Sequence, residues 1–236
     1  MTPNLDRRLF IHGAGVAAAA VALDAAQADS PPAPTSKPAI LTAKPLTLDP
    51  KSVPGLSEKL LVSHYENNYL GAVKRLNAID ARLAELDFAK VPNFVLNGLK
   101  REELIAMNSA LLHEVYFDSL AGAGAPKGAL LDAITRDFGG LERWRAEFSA
   151  LGKAEGGGSG WVILSFSPQL KRLVTQWAAD HTTTIAGGRP ILALDMYEHA
   201  YHMDYGAKAG AYVDAFMEAI RWDNVAKLYE QYSREG

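Results

Sequence analysis

The segment DMYEHAYHMDYG, residues 195–206, concentrates side chains that can bind a metal ion. Its carboxylates and imidazoles come from Asp195, Glu198, His199, His202 and Asp204. Methionines and tyrosines separate these groups, and a solvated charged surface would not need them. Because imidazole and carboxylate are ligands of iron, manganese and catalytic zinc, the segment indicates a partly buried metal site.

The composition limits which kinds of site the chain can build. The 236 residues are 48% hydrophobic and 22% charged, as in an ordinary globular protein. The formal net charge of −3 offers no general attraction to nucleic acid or to anionic membranes, so we expect no nucleic-acid partner. No cysteine is present, which excludes disulfides, zinc–thiolate sites, iron–sulfur clusters and thiol catalysis. Any bound metal must therefore be held by histidine, aspartate or glutamate.

Residues 1–28 have the layout of an export signal. Arg7 and Arg8 precede the small apolar run GAGVAAAAVAL, and an A-x-A cleavage site ends at Ala28. Adjacent arginines before a weakly apolar run are similar to a twin-arginine signal. The alternative is an N-terminal membrane anchor, for which the run is short. We therefore expect cleavage of the signal, no stable membrane association afterwards, and a periplasmic or otherwise extracytoplasmic location in a bacterium.

A proline-rich linker and a helical hairpin are predicted next. Residues 29–54 contain seven prolines and indicate an extended tether. Within 55–124, apolar residues recur at helical spacing over 55–87, which Ser57 begins as a plausible N-cap, and again over 100–120. Two long helices with one connection predict an antiparallel hairpin.

Residues 125–236 indicate a second domain of mixed structure. Helical patterns over four stretches surround three short apolar runs that are typical of strands. The helices are predicted near 127–137, 140–154, 207–220 and 224–232, and the strands at 161–166, 170–178 and 191–195. The fold class is thus α+β: an N-terminal antiparallel helical hairpin followed by a C-terminal α+β domain with a small three-stranded antiparallel sheet.

Histidines on the hairpin extend the candidate metal site. His64 and His113 lie on the two predicted helices, on or beside the apolar face. A single histidine in such a position is usually a hydrogen-bonded core residue, and this reading stays open for each one alone. Two on facing helices, with His199 four residues after Asp195 at a strand end, favour a shared site.

Five motifs in one order resemble the iron/manganese superoxide dismutase family. They are His-Tyr in the first helix, a histidine in the second, GSGW, DMYEHAYHMDY and RWDNVAKLY, and the resemblance spans about 55–235. It implies superoxide as substrate, one iron or manganese ion per subunit, and a homodimer. The family's four metal ligands match His64, His113, Asp195 and His199.

The resemblance also implies roles for residues around the metal. His181 matches the outer-sphere glutamine or histidine that hydrogen-bonds solvent at the metal; a loop histidine is the alternative. Trp161 matches the pocket tryptophan of GSGW, and Tyr197 could supply a proton where the family has tryptophan. Glu198 and Tyr201 match residues of the dimer interface.

Four positions near the predicted site depart from the family pattern. Asn68 replaces a histidine, Ala72 replaces the gateway tyrosine, and Phe117 and Tyr197 replace tryptophans. Ala72 is predicted to face the open side of the metal, where it cannot deliver a proton. These changes concern proton supply and substrate access more than metal binding. The alternative function is therefore a non-catalytic or otherwise redox-active metal-binding relative on the same fold.

Overall fold

The computed structural model describes residue 37 and residues 40–155 and 158–235. The signal predicted for residues 1–28 and the first part of the predicted linker lie outside the described residues. Across the part of the chain that is described, no helix combines the length and the apolar character needed to cross a membrane.

Two long helical segments form the hairpin. The first consists of α1 (Glu58–Ser63), a π-helical turn (His64–Tyr69) and α2 (Leu70–Ala84), and the second is α3 (Asn93–Asp118). The predicted cap is confirmed, since the Ser57 hydroxyl oxygen accepts a hydrogen bond from the Leu60 amide at 3.1 Å.

The second helix begins earlier than the sequence predicted. We expected its start near residue 100, but Asn93 already follows Pro92, whose extended backbone marks the helix entrance. The first turns of α3 contain Gly98, which lowers helix propensity by about 1 kcal/mol relative to alanine. The remaining residues of α3 outweigh that cost, so the helix runs through the glycine.

The π-helical turn changes which residues share a face of the first helix. In a regular α-helix, residues five apart lie about 140° from one another. Here His64 and Tyr69 are both buried, because the wider π turn brings them to the same side. The prediction of one uninterrupted helix over 55–87 is wrong in this respect. Such turns recur at functional sites, and this one begins at a predicted metal ligand.

The second half contains the sheet and the remaining helices. β1 (Trp161–Ser167) lies between β2 (Arg172–Ala178) and β3 (Arg189–Asp195), and both pairings are antiparallel. The three-stranded antiparallel sheet is thus confirmed. The helices are α4 (Gly128–Phe138), α5 (Leu141–Ala154), α6 (His202–Tyr205), α7 (Ala209–Glu218) and α8 (Trp222–Glu235), with a 3-10 turn at Glu198–Ala200.

Residues 41–54, within the predicted linker, pack on the hairpin. The Leu41 amide donates to the Asn77 side-chain oxygen at 2.8 Å, and the Asn77 amide group donates back to the Leu41 carbonyl at 2.9 Å. Leu48 and Val53 are buried in the core. Residues 41–46 have no regular secondary structure and residues 47–54 form bends and turns, and the apolar residues of the segment cover the helices.

A large hydrophobic core joins the two halves. One cluster of buried side chains contains Leu61 from α1, Trp161 from β1 and Phe216 from α7. The segments predicted as separate domains, 55–124 and 125–236, therefore pack as one unit. This shared core is what brings hairpin histidines next to the end of a strand.

Candidate metal centre

Four side chains from distant parts of the chain converge at one point. His64 comes from the π-helical turn, His113 from α3, Asp195 from the end of β3, and His199 from the 3-10 turn. One potential ligand atom of each lies within 4.8 Å of the others. Asp195 Oδ2 is 3.1 Å from the His64 Nε2 atom, 3.4 Å from that of His113 and 3.2 Å from that of His199. The structure thus brings together the four residues that the resemblance indicated as ligands.

Backbone contacts fix the direction of the Asp195 carboxylate. Asp195 pairs with Trp161 across the β1–β3 ladder. Its Oδ1 atom accepts a hydrogen bond from the Tyr197 amide at 2.8 Å, and its carbonyl accepts one from the Tyr212 hydroxyl at 2.8 Å. Oδ2 is therefore left to face the three imidazoles.

The His113 ring is oriented to present a lone pair to the cluster. Its Nδ1 atom lies 2.6 Å from the Ser109 carbonyl oxygen. A carbonyl only accepts, so Nδ1 carries the proton and Nε2 of the neutral ring carries a lone pair. Nε2 is buried and has no hydrogen-bond partner among the described residues. Leaving such an atom unpaired costs free energy, whereas a metal ion would satisfy it.

The protonation states also suit metal binding. Burial lowers the pKa of His64 to about 4, so its imidazole is neutral at pH 7. Burial by itself would raise the pKa of Asp195, but the electrostatic effect of the surrounding imidazoles, that of His199 first, holds it well below its usual range. Neutral imidazole and ionised carboxylate are the forms that bind metals. Three nitrogens and one carboxylate oxygen form a donor set that fits iron or manganese.

His181 is held beside the cluster in one tautomer. The Trp161 indole N–H donates to His181 Nδ1 at 3.0 Å. Burial lowers the pKa of His181 to about 4, so the ring is neutral and its proton is on Nε2. Tyr197 stacks on the His181 ring at 4.7 Å and on the His199 ring at 5.4 Å. His181, Trp161 and Tyr197 thus lie beside the four-residue cluster.

Asn108 makes a hydrogen bond that the sequence did not predict. Its side-chain amide donates to the His181 carbonyl at 2.5 Å and so ties the loop after β2 to α3. No residue-type signal could have indicated this bond, because its acceptor is a backbone atom 73 residues away in the chain.

A cavity of about 260 Å³ connects the cluster to the surface. His113, His181 and His199 line its inner end, and Asn68 and Ala72 line its wall. Ala72 thus faces the side of the cluster that the sequence predicted. Its methyl group leaves space where a tyrosine would project.

Phe117, another departure from the family pattern, fills space beside the cluster. Its ring lies 5.0 Å from that of His64 and is buried. It closes one side of the site with apolar surface and offers no hydrogen bond.

The other residues of the 195–206 segment take different positions. Asp204 accepts hydrogen bonds from the Ser57 amide and hydroxyl, each at 2.7 Å, and so fastens the start of α1. Glu198 and His202 are exposed. Tyr201 is 3% exposed and stacks on Tyr212 inside the same chain.

The fold and the donor set define a mononuclear metalloprotein with an open cavity beside its metal site. Residues 126–228 match the family described as iron/manganese superoxide dismutases, C-terminal domain. A "Superoxide dismutase [Fe]" from Cupriavidus metallidurans is 67% identical over 192 residues, which cover 81% of this chain and 98% of that protein. A "Superoxide dismutase [Mn]" from Haloarcula marismortui is 35% identical over 189 residues, 75% of this chain and 87% of that protein.

A third relative, a "Superoxide dismutase [Fe]" from Aquifex aeolicus, is 35% identical over 192 residues, which cover 78% of this chain and 89% of that protein. The chain belongs to the iron/manganese superoxide dismutase family.

Proposed function

We propose that the protein is a superoxide dismutase that uses one iron or manganese ion per subunit. Two superoxide ions and two protons give one dioxygen and one hydrogen peroxide. The observation that carries the proposal is the largely buried cluster of three imidazoles around one carboxylate, beside a cavity that reaches the surface. Each of the four ligand candidates can contribute one donor atom without a change of fold.

The ligand residues set the charge of the site. When bound, iron or manganese supplies reversible one-electron exchange between its divalent and trivalent states. With such an ion bound, the single Asp195 carboxylate would offset one positive charge and leave a net positive charge that attracts an anion. Hydrogen bonds to Ser109 and from Tyr197 hold His113 and Asp195 in place, which limits rearrangement between the two states.

We expect His181 and Tyr197 to take part in proton supply. Because Trp161 occupies Nδ1, the His181 Nε2–H group remains to hold solvent or substrate oxygen in the cavity. Burial raises the pKa of Tyr197 to about 12, so its phenol keeps its proton at neutral pH. We infer that His181 holds the solvent that supplies a proton for peroxide formation and that the Tyr197 phenol is a second proton source, a role for which Ala72 has no polar group.

The test is superoxide removal per bound metal ion. Protein loaded with iron and, separately, with manganese is assayed by pulse radiolysis, and metal content is measured on the same samples. We expect catalytic decay of superoxide with at least one of the two metals. Metal-loaded protein that does not accelerate the decay would instead favour a non-catalytic metal-binding relative.

We propose a homodimer formed through the surface around the 3-10 turn. Support comes from the exposure of Glu198 directly beside His199, and from the family match of Glu198 and Tyr201 to interface residues. Sedimentation of the metal-loaded protein is expected to give twice the chain mass, and Glu198→Ala is expected to weaken the dimer. A monomer at micromolar concentration would exclude this arrangement.

We also propose export, with a cleaved twin-arginine signal at residues 1–28 and an extracytoplasmic location. Arg7, Arg8 and the A-x-A site before position 29 support it. Replacement of both arginines by lysine is expected to retain the precursor in the cytoplasm. Unchanged export of that variant would indicate another route.

A further inference from the structure

The wall of the metal-site cavity carries one charged side chain other than histidine. Among the described residues that line it, the others are amides, serine, small or apolar residues and histidines, whereas Arg75 carries a permanent positive charge. Arg75 lies on α2, about one turn after Ala72, so its guanidinium stands farther along the same wall. Its side chain is 57% exposed, which places it where the cavity meets solvent.

Glu102 of α3 pairs with this arginine but does not line the cavity. The Glu102 carboxylate also lies 3.6 Å from the Arg101 guanidinium. The Arg75–Glu102 pair therefore acts as a dipole whose positive end is on the cavity wall. An anion inside the cavity is attracted by the nearer charge more strongly than it is repelled by the farther one.

We propose that Arg75 captures the anionic substrate at the cavity mouth and that Glu102 moderates this capture. Charges that line a cleft with low-dielectric walls raise the association rate of small ions. Two features of this wall favour passage inward: Ala72 does not obstruct it, and the Asn68 amide makes no hydrogen bond to another described residue, so its N–H groups can donate to an anion. The proposal rests on the superoxide chemistry proposed above.

Three variants test the proposal in the metal-loaded protein: Arg75→Gln, Glu102→Gln and the double variant. At low ionic strength, Arg75→Gln is expected to lower kcat/KM for superoxide by about 10-fold and Glu102→Gln to raise it by about 2-fold. The double variant is expected to stay below the unmodified protein, because the dipole is lost although the net charge is the same. The differences are expected to shrink to within about 2-fold at 1 M salt, where the screening length is about 3 Å.

Arg82→Gln is the matched control. Arg82 lies on the same helix and pairs with Glu85 at 3.2 Å, but it does not line the cavity. Both pairs lie at the surface, where ion pairs contribute little to stability, so all variants are expected to fold. Arg82→Gln is expected to leave kcat/KM within about 2-fold at every salt concentration. An equal loss in Arg82→Gln and Arg75→Gln would refute a local role for Arg75.

Azide, a small monoanion, gives a second readout that does not depend on turnover. Its affinity for the metal-loaded protein, measured by calorimetry, is expected to fall by about 3- to 10-fold in Arg75→Gln and to be unchanged in Arg82→Gln. Unchanged kcat/KM and azide affinity in Arg75→Gln would overturn the proposal. Failure of the unmodified protein to remove superoxide would instead overturn the function on which it rests, so the two failures are distinguishable.

Discussion

Glu155 is a buried carboxyl group with no counter-charge among the described residues, and its replacement by glutamine tests how its burial affects the stability of the protein. It follows α5, is 6% exposed, and has one side-chain oxygen, Oε1, with no hydrogen-bond partner among the described residues. Burial raises its pKa to about 7, from 4.5 for an unperturbed group. The fold therefore favours the neutral acid.

The sign and size of the effect follow from this pKa. Between pH 4.5 and pH 7 the folded protein holds a proton that the unfolded chain has lost, so the Glu155 contribution to stability falls as pH rises through this window. The shift from 4.5 to about 7 corresponds to about 3 kcal/mol, at 1.36 kcal/mol per pH unit. Glu155→Gln, which stays neutral, is expected to gain up to this amount relative to the unmodified protein at pH 8, and to show no gain at pH 4.5.

Denaturant unfolding of both proteins at matched metal content, from pH 4.5 to 8.5, measures the difference. Glu147→Gln is the matched control, because Glu147 is an exposed glutamate on α5, the helix that Glu155 follows. Its stability difference from the unmodified protein is expected to vary by less than about 0.5 kcal/mol over the range. A difference between Glu155→Gln and the unmodified protein that stays constant with pH would refute the reasoning, because it would mean that Glu155 ionises in the folded state as readily as in the unfolded chain.

Three further substitutions probe the site and its frame. His113→Ala is expected to leave a folded protein with much less than one metal ion per chain, as measured by elemental analysis and circular dichroism; full metal content would exclude His113 as a ligand. Ala72→Tyr is expected to accelerate the proton-consuming half of the reaction by about 10-fold or more, and the other half less, in pulse radiolysis of pre-reduced and pre-oxidised protein. Equal rates of the two half-reactions in the unmodified protein, unchanged by Ala72→Tyr, would show that another group already supplies the proton. Gly160→Ala is expected to cost at least about 2 kcal/mol of unfolding free energy, because φ is +126° and the new Cβ would meet Glu155 Oε2 and, at 2.9 Å, the Ala178 carbonyl. Gly98→Ala, in open helical space, is the control and is expected to be neutral or stabilising by up to about 1 kcal/mol.

Periodicity and turn residues predicted the main elements because those signals are local. Ser57 caps the first helix as expected, and all three strands lie within two residues of the predicted bounds. The π-helical turn at His64 was not predictable, since apolar residues at helical spacing do not distinguish a π turn from a regular α-helical one. The packing of residues 41–54 was missed for a related reason: prolines indicate extended backbone but say nothing about what that backbone covers.

The metal site, too, could be predicted from the sequence only in part. The residues near 195–206 indicated a metal site from their types and spacing, but the selection of Asp195 and His199 over Glu198, His202 and Asp204 came from family resemblance. Only the folded chain shows why, since Asp204 binds Ser57 and Glu198 is exposed. The Asn108 bond to the His181 loop links two segments far apart in sequence, and no local pattern encodes it.

His64, His113, Asp195 and His199 are expected to hold a single iron or manganese ion. Anomalous X-ray diffraction from crystals of the metal-loaded protein, recorded at the iron and manganese absorption edges, tests it most directly. One anomalous peak per chain is expected, about 2 Å from an imidazole nitrogen of each histidine and from Asp195 Oδ2. A peak elsewhere, or one that lacks any of these four ligands, would contradict the account.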